Sequence, residues 1–340
     1  MSEEAHAYLD QLTKPPGSLG RLEEVAVELA GMTGELHPRI TPPGVLVFAA
    51  DHGIAEEGVS AYPAEVTAQM VYNFARGGAA INVFSRRIGA LLEIVDVGVA
   101  VSIDDERVIV KKVRHGTGNF AKTEAMTTAE AEQALHVGYE QAVSIIGQGA
   151  RTLIAGEMGI GNTTAASALL ATLTDEPLER IVGKGTGIAA ERLVHKQEVI
   201  RQALSLHQPD PAKPLEWLAK IGGLEIAAMA GAMIAAAERR TPILLDGFIG
   251  AVAALVACQF APNVTHYMIA GHRSEEPGHS IALGLLGKEP LIDLRMRLGE
   301  GSGAAVAFPL LAAAAAMMSE MATFSSAGVS TAEAKGEKEQ

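Results

Sequence analysis

The twelve residues Leu153–Thr164, LIAGEMGIGNTT, constrain the fold more than any other stretch of the chain. Leu153, Ile154 and Ala155 read as the buried end of a strand. Gly156, Gly159 and Gly161 then make a loop whose backbone N–H groups a ligand can approach closely, because no Cβ stands in the way. Asn162, Thr163 and Thr164 are cap-type residues ahead of the alanine-rich run Ala165–Leu173, which reads as a helix. A strand, a glycine loop and a helix N-terminus in that order either hold an anion such as phosphate or simply make a tight turn; the stretch alone leaves both open. Glu157 lies inside this loop. A carboxylate repels phosphate, so Glu157 is expected to face a sugar hydroxyl or a ring N–H.

The same grammar recurs along the chain. Val45–Ala50 is a continuous apolar run ending in Asp51-His52-Gly53, and Leu91–Val97 leads to Gly98. Val108–Val113 precedes a second glycine loop at 115–119, Ile243–Leu245 ends in Asp246-Gly247, and Val264–Ala270 runs into the polar loop 271–276. Helical segments separate these runs: one through residues 1–12, one from Ser18 or Gly20 to Met32, one opened by Pro63, one over 128–146 started by Thr127 or Thr128, one over 188–206, and one opened at 222–225. Continuous apolar strands alternating with helices, with glycine, Asp or His at strand C-terminal ends, predict an α/β fold: an open, mostly parallel sheet with helices on both faces. The early and late helices are expected to form a small helical lobe.

Composition removes several function classes. The 340 residues carry a net charge of −13 with no basic cluster, which argues against nucleic acid and anionic membrane as partners. The N-terminus is acidic and lacks a signal-peptide core. The uncharged runs 247–271 and 301–319 are interrupted by Gln259, Pro262, Asn263 and His266 in the first and by Pro309 in the second, and read as buried core. The one cysteine, Cys258, rules out an internal disulfide and suits a reducing cytoplasm. No metal-ligand spacing is present, so neither a metal nor a cofactor is expected. Residues 325–340 read as a disordered tail.

Individual side chains carry paired readings. Lys14 belongs to a connector or reaches an anion. Asp51 and His52 are adjacent on a strand, so one of them at most faces a site. Tyr62, Gln69 and Met70 either wall a flat ligand or form one amphipathic face. The loop 182–187 does not match a P-loop, and Lys196 is either solvated or reaches a phosphate near the glycine loops. His272 and His279 with nearby glutamates lie in a polar loop rather than a metal site. Glu300, between glycines in Arg297–Ala305, is a helix N-terminal charge or a catalytic base, and the freedom given by its flanking glycines favours the base.

Five segments together resemble a known family: KPPGSLGRLE (14–23), ADHGIAEEGVSAYP (50–63), GEMGIGNTT (156–164), LLDGF (244–248) and RLGEGSGAA (297–305). They are similar, in the same order, to the nicotinate-nucleotide–dimethylbenzimidazole phosphoribosyltransferases, which make the lower-ligand nucleotide of cobalamin. The resemblance implies a Rossmann-like sheet (residues 40–290), a small helical lobe from 1–39 and 291–324 contributing the catalytic glutamate, and a homodimer. It implies nicotinate mononucleotide and a benzimidazole-type base as substrates. It further implies Glu300 as general base, Glu157 and Gly159, Gly161, Asn162, Thr163 and Thr164 at the nucleotide, Gly185 at the ribose, Lys196 near the phosphate, and Asp246 as a polar site residue. Tyr62 and Pro63 match the start of the base pocket. Here the chain departs from the family pattern: serine is usual before this proline, and a glutamine usually stands one place after Gln69, where this chain has Met70. One place is about 100° around a helix. A phosphorylase-like glycosyl transfer and a nucleotide-sensing protein are the competing readings; a pure sensor has no need of Glu300.

Overall fold

The computed structural model describes residues 1–185 and 187–330. In chain order the elements are α1 (Ser2–Leu9), α2 (Arg21–Thr33), β1 (Pro43–Ala50), α3 (Glu65–Ala75), α4 (Ala80–Arg87), β2 (Leu91–Gly98), β3 (Val108–Val110), α5 (Thr128–Gly147), β4 (Thr152–Met158) and α6 (Asn162–Ala171). They continue with α7 (Leu178–Ile181), α8 (Ala190–His207), α9 (Pro214–Ile221), α10 (Leu224–Glu238), β5 (Ile243–Leu245), α11 (Phe248–Phe260), β6 (Met268–Ala270), β7 (His272–Ser274), α12 (Pro277–Leu286), β8 (Ile292–Met296), α13 (Ser302–Glu320) and α14 (Phe324–Ala327).

Two compact units result. One combines residues 1–40 with the described residues from 309 to 330; the other is continuous from Thr41 to Phe308. The division falls at 308/309 rather than at 290/291, within α13, so residues 291–308, Glu300 among them, are assigned to the larger unit. Within the smaller unit the two chain ends are stitched by an antiparallel bridge between Leu12 and Thr323 and by the His37 ring, whose Nδ1 lies 2.7 Å from the Met318 carbonyl oxygen. Lys14 pairs with Glu23 at 2.8 Å, which gives this basic loop a structural partner. Of the expected tail, 324–327 form the turn α14, and 331–340 lie outside the described residues.

The larger unit is built on a six-stranded sheet in the order β3-β2-β1-β4-β5-β6, with every pairing parallel. All eight residues of β1 are buried, as befits a central parallel strand covered on both faces. The chain reverses direction across the sheet between β1 and β4, and the crevice beyond their C-terminal ends is where open α/β sheets place ligands. Pairing of Phe48 with Glu157 and Ala49 with Met158 carries β4 two residues past Gly156. Glu157 is therefore on the strand, not in the loop that follows it. The next helix starts at Asn162 with Gly161 as its cap at φ 101°, and no side-chain cap is used; the Asn162 amide goes to Glu157 and the Thr163 hydroxyl to Lys196 instead.

Tight helix packing supports this sheet. A Cβ on Gly138 of α5 would collide with the Ala228 backbone of α10, and one on Gly231 of α10 with the Leu135 backbone, so the two helices touch main chain to main chain. Thr127 caps α5 reciprocally with Glu130, each accepting the other's N–H at 2.8–3.2 Å. Two expectations fail at the far edge. Residues 262–267 close on themselves as a 3₁₀ turn, the Val264 N–H bonding the Ala261 carbonyl at 3.0 Å, and β6 begins only at Met268. The polar stretch 272–274 is a strand, paired in parallel with β8 as a separate two-stranded sheet. The apolar window in 302–320 is long enough to cross a bilayer by composition, but 61% of it is buried inside the protein.

Candidate active site

At the C-terminal ends of β4 and β5 lies a cavity of about 550 Å³, an ordinary size for a small-molecule site. Its lining combines an apolar wall, Tyr62, Val66 and Met70, with a floor rich in carboxylates, Glu157, Asp246, Glu276 and Glu300. Gly159, Asn162, Thr163 and Gly185 also line it. Val66 and Met70 are one helical turn apart on α3, whereas Gln69 and Pro63 are exposed and do not line the cavity. Gly161, Thr164 and Lys196 stand behind the lining rather than in it.

Glu300 is presented by an unusual piece of backbone. Gly299, Glu300 and Gly301 all have positive φ, 85°, 66° and 85°. Glutamate rarely adopts that conformation, and such strain gathers at functional sites. Two carboxylates hold the segment. Glu157 Oε1 accepts the Glu300 N–H at 3.3 Å, and Asp246 accepts the N–H groups of Gly301 and Ala304 at 3.1 and 3.0 Å. The strand beneath contributes Gly156, where a Cβ would strike the Glu300 carbonyl. Glu300 is only 5% exposed, and its Oε2 has no partner among the described residues. Burial pushes it up to about 7, assisted by the charge on Asp246 and opposed by a hydrogen bond from the Ile81 backbone.

Glu157 differs from Glu300 in having its oxygens occupied. Oε1 takes the Glu300 N–H, and Oε2 is in short contact with the Asn162 amide. Burial, followed by the charges of Asp246 and Glu225, raises it to about 8.

On the opposite side of the site is a buried cation. Lys196 of α8 is 1% exposed, so it is not a solvated surface lysine. Its Nζ donates to Thr163 Oγ1 at 2.9 Å and the Gly183 carbonyl at 3.4 Å. Burial lowers it to about 8 while Glu276 opposes the change; burial likewise raises Glu276, which the Lys196 charge counteracts. At the mouth, exposed Arg297 donates to the Gly185 carbonyl at 3.2 Å.

Neither Asp51 nor His52 lines the cavity. Asp51 accepts the Ala100 N–H at 2.7 Å, and His52 is fully buried against Glu225 at 2.6 Å, behind Gly159 and Gly161. His272 does line the cavity, 3.5 Å from Asp246. His279 spends its Nδ1 on the Ser274 N–H at 2.8 Å and is held neutral by burial, at about 4. Among the described residues no group of three or more His, Cys, Asp or Glu side chains could hold a metal ion. Sequence reasoning missed Val66, His272, Ser274, Glu276 and Arg297 as lining residues. Only the i,i+4 spacing of Val66 and Met70 was a signal for any of them.

The phosphoribosyltransferase family matches residues 1–329. The nicotinate-nucleotide–dimethylbenzimidazole phosphoribosyltransferase of Halalkalibacterium halodurans is 53% identical over 97% of this chain and 92% of its own length. That of Chloroflexus aggregans is 52% identical over 94% and 91%. The crystal structure of CobT from Thermus thermophilus superposes with a TM-score of 0.94 at 48% identity, covering 97% of this chain and 99% of that one. The chain is thus an enzyme that belongs to the nicotinate-nucleotide–dimethylbenzimidazole phosphoribosyltransferase family.

Proposed function

We propose that the enzyme transfers the 5-phosphoribosyl group of nicotinate mononucleotide to 5,6-dimethylbenzimidazole or a related base, giving α-ribazole 5′-phosphate and nicotinate, with Glu300 as general base. The observation that carries this reading is the Glu300 carboxyl: in the cavity, nearly dry, with one oxygen unpartnered and a pKa of about 7. A base works best when its pKa lies near the working pH, and help of this kind is worth roughly 10²–10⁴-fold. Glu157 is less suited, because both its oxygens already accept hydrogen bonds.

The bonds balance without a further reactant. The pyridinium nitrogen leaves ribose C1′ with the bonding pair and becomes the neutral ring of nicotinate. A benzimidazole nitrogen supplies the new pair from the opposite face, and its second ring N–H, made acidic by the developing positive charge, passes its proton to Glu300. The acidic floor favours the cationic pyridinium of the donor. The start of α6 at Asn162 and Thr163, with Lys196 behind Thr163, suits the phosphate. Tyr62, Val66 and Met70 offer an apolar wall to the incoming ring. Holding two rings on either side of C1′ contributes as much as the base or more. A homodimer in a reducing cytoplasm completes the reading, supported by the family resemblance and the single half-buried Cys258.

The test is product formation from nicotinate mononucleotide and 5,6-dimethylbenzimidazole, followed by chromatography and mass. Glu300→Gln is expected to fold, to bind mononucleotide and to lose at least about 100-fold in kcat. Near-normal turnover in that variant removes Glu300 from the chemistry. A requirement for inorganic phosphate points instead to a phosphorylase.

A further inference from the structure

Asp246 follows β5 and is 4% exposed, yet neither of its oxygens is free. Oδ2 accepts the Gly301 N–H at 3.1 Å and Oδ1 the Ala304 N–H at 3.0 Å. His272 Nε2 stands 3.5 Å from Oδ1. Together with the Glu300 N–H on Glu157, three main-chain N–H groups within five residues are held by carboxylates from two strand ends. A left-handed glutamate persists only where its surroundings over-determine it. Without the Asp246 clamp, Gly301 is free to turn to other backbone angles and to swing Glu300 out of the cavity.

We propose that Asp246 is a positioning residue for the general base: its two oxygens fix the Gly299–Gly301 segment in the left-handed conformation that aims the Glu300 carboxylate into the cavity. The proposal rests on Glu300 being the base. The charged groups facing Glu300 are Asp246 and Glu157, with the Ile81 N–H at the start of α4. Those facing Asp246 are His272 on β7, His279 on α12 and Glu157 on β4, and Glu225 on α10 acts on Glu157. Removing the negative charge at 246 makes Glu300 easier to ionise, so its titration moves to lower pH.

The experiment is a mutant cycle read in steady-state turnover and pH profile. Asp246→Asn keeps the size and one acceptor but removes the charge. It is expected to lower kcat about 10–100-fold, the scale of an ångström-sized misplacement, with KM for both substrates within about threefold. The acid limb of kcat/KM should move to lower pH. Asp246→Glu keeps the charge but shifts the acceptors by one methylene; it should lower kcat similarly and leave the acid limb in place. In the Glu300→Gln background either change should cost less than about threefold, because Asp246 acts through Glu300. Losses that multiply, a kcat near wild type in the single variants, or an unmoved acid limb in Asp246→Asn overturn the proposal. If Asp246→Asn does not fold, Asp246→Glu in the two backgrounds completes the cycle. Failure of the underlying reading looks different, since Glu300→Gln alone then turns over normally.

Discussion

Removing the Glu300 carboxylate should make this enzyme more stable, by an amount that depends on pH. The Glu300 carboxyl is raised from 4.5 to about 7 in the folded protein, chiefly by burial. The folded state therefore prefers it protonated. Below about pH 4.5 the group is protonated in both states and its contribution to stability is fully present. Between 4.5 and 7 the unfolded chain releases the proton while the folded one keeps it, so stability falls as pH rises, and above 7 the loss is complete. At about 1.4 kcal/mol per pH unit the ceiling is about 3 kcal/mol, and solvent reaching the carboxyl through the cavity brings the expected value to about 1–2 kcal/mol. Glu300→Gln keeps shape and left-handed backbone but never ionises, so it escapes this loss. With an unfolding entropy of roughly 2 cal/mol/K per residue, the larger unit gains about 2–4 °C in Tm. Trp217, fully buried on α9 and bonded to Thr172 at 2.8 Å, is the only tryptophan and reports unfolding by fluorescence. The variant should melt above wild type at about pH 8.5, and the gap should close toward about pH 5. Wild type melting at or above the variant on the alkaline side, or a gap that does not change with pH, refutes the reasoning.

Two further outcomes follow from the packing. Lys196→Met, which keeps the length of the side chain and removes the buried cation, should raise KM for the mononucleotide at least tenfold with kcat within threefold; initial rates against pH should also show wild-type KM rising above about pH 8, where Lys196 loses its proton, and no such rise in the variant. Gly138→Ala places a methyl against the Ala228 backbone and should destabilise the protein by about 1–3 kcal/mol or more, measured as a lower denaturant midpoint with an unchanged slope.

Much of this architecture was legible because central parallel strands are buried on both faces and therefore read as unbroken apolar runs: Val45–Ala50, Leu91–Val97 and Leu153–Ala155 all belong to the sheet. Glu300 was legible for a local reason, since glycines on both sides of a carboxylate mark an unusual backbone. What was hidden depended on partners distant in sequence. Gly156 looks like the end of a strand, but β4 runs on through Glu157 and Met158, and the glycine serves a close approach by the Glu300 carbonyl from far along the chain. Lys196 looks like a surface lysine, because nothing on α8 shows that Thr163 and Gly183 will enclose it. His272, Ser274, Glu276 and Arg297 sit in or beside β7 and β8; β7 is three polar residues with no apolar signature, and β8, Ile-Asp-Leu-Arg-Met, is too short and too exposed to stand out as a buried strand. Whether Gln69 or Met70 faces the site was a question of helix phase, and α3 turns Met70 inward.

That wall of α3 sets up a division of labour across the cavity. The lining carboxylates, Glu157, Asp246, Glu276 and Glu300, come from strand ends and the segments after them, while Tyr62, Val66 and Met70 are supplied by one short stretch of chain and carry no carboxylate. The two sets are inherited as separate blocks of sequence. On the proposed function, changes at these three positions of a single helix and its approach should alter which ring is accepted and leave the proton chemistry untouched.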